Sequence, residues 1–249
     1  MNNTMTKQKE WFEIWFDSPY YHLLYRHRDE PEAEYFLNNL IGKLKLDAAS
    51  RILDLACGKG RHCIYLNKKG FDVTGLDISE HSINSAQEFS NENLEFYLHD
   101  MRNSFRINYY DVILNLFTSF GYFKSEKENK EVIRAVAQGL KPGGIFVLDY
   151  FNPKKVVSEL KEKETKTEEG INFSITRRVS GKFLEKRINV SDKGKNFTFS
   201  ESVMLFSEKE ISDYLQSFKL NVINLYGDYS LNKFEEEKSE RMIFIAQKT

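Results

Sequence analysis

Three side-chain and backbone features of this chain have types and spacing suited to chemistry. Gly58 and Gly60 follow the apolar run Arg51-Ile-Leu-Asp-Leu55, and a helix is expected directly after them. Asp77 stands nineteen residues beyond Gly58, at the end of a second apolar run, Phe71-Asp-Val-Thr-Gly-Leu-Asp77. A strand, a glycine turn and a helix start put backbone amides and the positive end of the helix against a polar or anionic ligand. The acid after the second strand can accept hydrogen bonds from both hydroxyls of a ribose. A dinucleotide fingerprint reads G-x-G-x-x-G, whereas this chain reads Gly58-Lys-Gly60-Arg-His-Cys63, so the third glycine is replaced by a side chain. That disfavours a pyrophosphate cradle and leaves an adenosine site as the better reading of the pair.

Leu53-Asp-Leu-Ala-Cys-Gly-Lys-Gly60 followed by Gly75-Leu-Asp77-Ile-Ser79 resembles the first two motifs of class I S-adenosylmethionine-dependent methyltransferases. Asp100-Met101, Asp111-Val-Ile-Leu-Asn115 and Leu140-Lys-Pro-Gly-Gly144 stand where that family has its third, fourth and fifth strand signals. The aromatic stretch Tyr20-Tyr-His-Leu-Leu-Tyr25 makes the chain most similar to small-molecule members, among them the N-methyltransferases of amino sugars. The likeness is strong over roughly residues 20–150 and loose beyond.

The resemblance implies S-adenosylmethionine as cofactor and a cofactor-binding set of Tyr21, Arg28, Ala56, Gly58, Gly60, Asp77, Ile78, Asp100, Met101 and Leu116. In it Asp100 accepts from the adenine amino group, Met101 covers the ring, and Leu116 lies near adenine and sulfur. Tyr21 and Arg28 approach the methionyl end, the guanidinium fork being suited to a carboxylate. The fold it implies is α/β and Rossmann-like, a doubly wound seven-stranded, mostly parallel sheet in the order 3-2-1-4-5-7-6. The implied product is a methylated small molecule. Tyr21, His22, Tyr122 and Tyr150 are candidate bases and Asn152 a candidate orienter, but no spacing singles one out and the catalytic residue stays open.

The elements that position these residues follow from periodicity. Trp11-Phe-Glu-Ile-Trp-Phe16 is too aromatic for a free tail, and Pro19 breaks any helix there. Asp29 caps a helix whose apolar stripe is Ala33, Phe36, Leu37, Leu40, Ile41 and Leu44. Past the glycine turn a helix runs to Gly70. Ser79 caps the next, with Ile83, Ala86 and Phe89 or Ser90 inward, and Leu94 to Leu98 is the third strand. Asp111 to Phe117 reads as a strand buried on both faces, followed by a loop, Thr118 to Phe123, that walls the site. Capping boxes at Ser125-Glu-Lys-Glu128 and Ser207-Glu-Lys-Glu210 open two more helices. Lys141-Pro-Gly-Gly144 is a turn, Ile145 to Tyr150 the fifth strand, and Lys219 to Tyr226 and Arg241 to Gln247 the last two.

Between them the rhythm changes. Residues 154–170 are charge-rich, read as a helix and then a solvated connection. Ile171–Val179, Phe183–Val190 and Phe197–Phe206 alternate as antiparallel strands. The expected organisation is therefore a helical lid over 1–45, a core over 46–160 and 207–249, and an inserted antiparallel β cap over 161–206. Arg177-Arg178 and Lys186-Arg187 on the cap are the wet face of a sheet or, less simply, a contact for an acidic substrate.

Composition narrows the partners. With 36 basic against 37 acidic residues and a net charge of −1, nothing advertises nucleic acid or an anionic membrane. No run approaches the roughly 18 apolar residues of a membrane span, and the first ten residues lack an apolar signal core, which leads to an expected cytoplasmic location. Cys57 and Cys63 miss zinc spacings and are read as reduced packing residues, with no metal. The Asn- or Asp-Pro-Pro-aromatic motif of base-methylating relatives is missing, since Leu116-Phe117 follow Asn115. A macromolecular methyltransferase, a non-catalytic binding protein and a dehydrogenase are the rival readings. The oligomeric state is open, a homodimer included.

Overall fold

The structure, a computed structural model, describes residues 9–26 and 30–249. The glycine turn sits at the centre of a seven-stranded sheet. Its first strand, β1 (Arg51–Leu55), pairs in parallel with β2 (Asp72–Asp77) on one side and β4 (Tyr110–Asn115) on the other. Outside these lie β3 (Leu94–Leu98) beyond β2, and β5 (Leu140–Phe151) beyond β4. The antiparallel β11 (Arg241–Lys248) and β10 (Leu220–Tyr226) complete the order β10-β11-β5-β4-β1-β2-β3, the one the family resemblance implied.

Alternation along the central strands divides the core. Leu53, Leu55, Ile113, Phe146 and Leu148 face one apolar layer, and Ile52, Val112, Leu114 and Val147 face another. Both faces are buried, as parallel strands require. The first layer is closed by α6 (Glu126–Gly139) and α8 (Glu208–Ser217), each opened by its expected capping box. Covering the second are α3 (Glu30–Leu44), α4 (Arg61–Lys68) and α5 (Glu80–Gln87). Ala33, Phe36, Leu37 and Leu40 are the buried stripe of α3; Asp29, its expected cap, lies outside the described residues. Ser79 caps α5 through its hydroxyl, but Phe89 falls past the helix end and is 53% exposed rather than inward.

The expected β cap is a separate four-stranded antiparallel sheet, not a set of three stretches: β6 (Lys163–Glu168), β7 (Ile171–Ser180), β8 (Phe183–Asp192) and β9 (Lys195–Met204). Its extra strand comes from the charged run expected to be a connection. Lys163-Glu-Thr-Lys-Thr-Glu168 reads as solvated because it is an edge strand, where charge guards open backbone groups. Only α7 (Pro153–Ser158) is helical in that run. Lys141 to Gly144 falls inside β5, the turn persisting as a register shift opposite Tyr110 and Val112 with Gly143 at φ +77°.

Two short N-terminal helices join the sheets. α1 (Trp11–Trp15) and α2 (Pro19–Leu24) meet at Ser18, which caps α2, so Pro19 opens a second helix instead of only ending the first. Trp15 and Leu24 pack on Phe173, Ile175, Ile188 and Val190 of the second sheet in a third small core. Trp15, fully buried, donates its indole N–H to Glu201 at 2.7 Å. Among the described residues no helix is long and apolar enough to cross a membrane.

Candidate active site

The backbone after β1 turns sharply. Ala56 has φ +61°, Gly58 +56° and Gly60 +80°, and the Cys57 amide reaches across to the Leu76 carbonyl at 3.0 Å, tying the turn to β2. A Cβ on Gly58 would meet nothing, yet its φ favours glycine. Gly60 is required twice. It opens α4 in the left-handed region, and a Cβ there would sit 2.6 Å from the Phe96 ring. It supports the turn from behind and does not line the cavity in front.

Asp77, at the end of β2, is buried against this turn. One carboxylate oxygen accepts the Gly58 amide at 2.8 Å and the other accepts the Ser79 amide at 2.8 Å. Burial pushes its carboxyl above the usual carboxylate range, and the two amides pull the other way. A cavity of about 360 Å³ opens in front, walled by Ala56, Gly58, Lys59, Asp77, Leu116 and Tyr21 among others. His22 lies on the same wall with its Nε2 buried and without a hydrogen-bond partner among the described residues. Burial first, then Lys59 and His81, lower its pKa to about 4, only partly offset by Asp17, so the ring is neutral at physiological pH.

Ala56, Asp77, Ile78, Asp100 and Met101 also line a tight space of about 40 Å³ next door, closed by Phe12 and Phe16 of the N-terminal segment. That is room for about one water molecule. Asp100 is there as expected, but its carboxylate is gripped by Arg102, whose Nε lies 3.0 and 3.1 Å from the two oxygens. Arg102 also holds Glu128 at 2.8 Å and Glu10 at 3.2 Å, binding this loop to α6 and to the residue before α1. Arg28 lies outside the described residues.

A second, larger cavity of about 660 Å³ adjoins the first. Phe16, Tyr21, Tyr25, Phe117 and Tyr122 belong to both, forming an aromatic partition. The far wall carries Glu32, Glu201, Asp228 and Glu240, with Arg177, Lys186 and Arg241. Each of these cations faces an acid: Arg177 faces Glu164 at 2.5 Å, Lys186 faces Glu201 at 3.4 Å and Arg241 faces Asp149 at 2.7 Å.

Of the candidate bases, Tyr21, His22 and Tyr122 reach these cavities. Tyr150 does not. It is fully buried, donates its hydroxyl to the Met204 carbonyl, and is held far above the normal tyrosine range by burial. Asn152 is likewise structural, capping α7 and donating to the carbonyls of Glu236 and Ser239 at 2.7 and 2.8 Å. Sequence reasoning missed Phe16, Phe117, Glu201, Tyr229 and Arg241, which converge from distant stretches with no shared spacing. His62 is buried beside Asp54 at 3.4 Å and stacked on Phe117, and it lies on the wall of the first cavity.

A central sheet in this order, with a glycine turn and a buried acid at its carboxyl edge, is a Rossmann-like α/β fold. The model of the methyltransferase domain family matches residues 46–220, and the chain belongs to that family. YqeM of Bacillus subtilis is 36% identical over 114 residues, 45% of this chain and 46% of that relative, so the chain spans about half of that protein's length. The dTDP-3-amino-3,4,6-trideoxy-alpha-D-glucopyranose N,N-dimethyltransferase of Streptomyces venezuelae is 27% identical over 189 residues, 72% of this chain and 78% of the relative. The solved structure of an S-adenosylmethionine-dependent methyltransferase from Clostridium acetobutylicum superposes with a TM-score of 0.78 at 22% identity, over 92% of this chain and 96% of that one. The chain thus carries a methyltransferase domain.

Proposed function

We propose that the enzyme methylates an amine on a small molecule, with the donor in the glycine-turn cavity and the acceptor in the larger aromatic one. The observation that carries this is the aromatic partition, which gives two adjoining clefts a common wall where a methyl group would cross. A volume of about 660 Å³ is in the range of small-molecule pockets. Ring faces and carboxylates on the same wall favour an ammonium group over an anion, and the wall's cations already face acids. The similarity to an amino-sugar N,N-dimethyltransferase points the same way.

The donor fits the residues present. Asp77 would take the ribose hydroxyls, the Gly58 turn would leave room for the methionyl chain, and Ile78, Met101 and Asp100 would flank the adenine, Asp100 sharing its charge with Arg102. Ala56 and Leu116 would border the sulfur end with Tyr21, and Arg28 would meet the methionyl carboxylate. Gly60 would act behind the turn. The orphaned His22 Nε2 is a further polar group for the ligand. The sulfonium supplies an intrinsically reactive methyl group. What the chain must do is align the two reactants and exclude water, and orientation alone reaches effective molarities on the order of 10⁵–10⁸ M.

Since Phe12 and Phe16 line the adenine space, the part of the expected 1–45 lid that would lift to admit the donor is the segment carrying α1 and α2, while α3 stays packed on the core. Residues 46–160 and 207–249 would form the donor-binding core, and 161–206 the cap that closes the acceptor cavity. The test is incubation with methyl-labelled donor and a panel of nucleotide-linked amino sugars and amino acids, with RNA and a protein lysate as separate arms. Label in a small amine is expected. Label confined to RNA or protein would overturn the small-molecule reading, and label only on hydroxyl acceptors would overturn the amine.

A further inference from the structure

The turn after β4 is strained, and one buried carboxylate holds it. Phe117 and Thr118 lie at φ +55° and +62°, a left-handed pair in which neither is glycine and one is β-branched. Such conformations persist where the surroundings over-determine them. Asp149, at the carboxyl end of β5 and fully buried, supplies that restraint. Its Oδ2 accepts the Phe117 amide at 2.7 Å and the Tyr229 hydroxyl at 3.3 Å, and its backbone carbonyl accepts the Thr118 amide at 3.0 Å. Its Oδ1 accepts Nε of Arg241 at 2.7 Å, while Nη2 of the same guanidinium reaches the Thr118 hydroxyl at 2.9 Å.

What the turn presents is the partition itself. The Phe117 ring stacks on His62 at 5.1 Å between centroids and 14° between planes, and lies 4.7 Å from the Arg61 guanidinium. On its other side it meets Tyr229 at 5.2 Å, and Tyr229 packs on Phe36 of α3 at 4.5 Å. Tyr122 donates its hydroxyl to the Thr118 carbonyl, so this second wall residue hangs from the same turn. Asp149 lines neither cavity, yet Phe117, Thr118, Tyr229 and Arg241 all line the larger one.

We infer that Asp149 is a positioning residue for methyl transfer: clamped by Arg241, it fixes the 117–118 turn and so sets the wall across which donor and acceptor meet. The inference deepens the assignment of the larger cavity to the acceptor and rests on it for its kinetic arm only. A misplacement of about 1 Å in such a wall is enough to cost turnover on the order of a hundredfold.

The experiment is Asp149→Asn, which keeps the shape and removes the charge. Three quantities are read: the His62 ring proton shift by NMR, the Kd for S-adenosylhomocysteine, and kcat and KM with whichever amine of the panel turns over. The expected result is loss of the His62 shift produced by stacking on Phe117, an unchanged Kd, and a kcat lowered about a hundredfold. Adding Thr118→Gly, which adopts the left-handed region freely, should return the His62 shift toward wild type. A His62 signal and kcat both like wild type would overturn the inference, as would parallel loss of S-adenosylhomocysteine binding and turnover, the mark of general unfolding. Should Asp149→Asn fail to fold, Arg241→Lys keeps the charge and loses the bridge to Thr118. A partial loss of shift and kcat supports the inference, and no change in either overturns it. If no amine turns over while the NMR and binding arms behave as stated, the acceptor assignment fails and the restraint by Asp149 stands.

Discussion

The glycine-turn cavity and the aromatic cavity beside it are built in opposite ways. The first is made by backbone: a turn with three positive φ values, amides of Gly58 and Ser79, and one acid to receive them, all within Ala56 to Ser79. The second is made by side chains from Trp11 to Tyr25, Phe117 to Tyr122, the second sheet, Tyr229 and Arg241. A group common to every reaction of a family can be held by a backbone that few sequences can form. On the proposed assignment, the acceptor would be met by side chains set on loops and on the second sheet, where a change need not disturb the central sheet.

The sharpest way to break this contrast is at Trp15, buried between the N-terminal helices and the second sheet. Trp15→Ala should cost about 3–5 kcal/mol in the docking of residues 11–25. Amide hydrogen exchange should rise there and stay slow in β1 and β2; equal loosening of both would mean that the two regions are one unit. Next is Asp77→Ala, expected to weaken S-adenosylmethionine binding by about 1.5–3 kcal/mol, the range for hydrogen bonds to a charged group. Calorimetry finding wild-type affinity would remove the ribose contact. Gly60→Ala adds overpacking on Phe96 to a left-handed backbone, and its denaturant midpoint should show a loss of about 1–3 kcal/mol. An unperturbed midpoint would show that the turn relaxes more easily than its geometry suggests.

The smallest effect concerns acid. His22 binds its proton only near pH 4 when folded and near 6.5 when unfolded, so between those values the unfolded chain holds more protons and stability falls as pH drops. The penalty is absent above about 6.5 and complete below about 4. Stability curves of wild type and His22→Gln should converge toward neutral pH and separate toward acid. Parallel curves would show that His22 is not buried as described.

The same contrast explains what was legible in the sequence. The glycine turn, the apolar run ending at Asp77 and both capping boxes follow from local rules of φ, spacing and amide satisfaction and could be read residue by residue, whereas the strand order came only from the family resemblance. Asp100 could be placed in its loop but not its ion pair with Arg102, since the arginine also needs Glu10 and Glu128 from two other elements. Tyr150 and Asn152 carried the right chemistry for a site and proved structural, because each side chain is taken up by a segment distant in sequence, Tyr150 by the end of β9 and Asn152 by the 227–240 loop. β6 was missed because charge on an edge strand looks the same in sequence as charge on a loop.

The most direct test of the central claim, one donor cavity and one acceptor cavity sharing an aromatic wall, is a crystal structure with S-adenosylhomocysteine. The ribose hydroxyls should lie about 3 Å from the Asp77 carboxylate, within hydrogen-bonding range, with the sulfur facing Tyr21, Phe117 and Tyr122. An adenosyl ligand bound away from Asp77, or one whose sulfur points away from that wall, would contradict it.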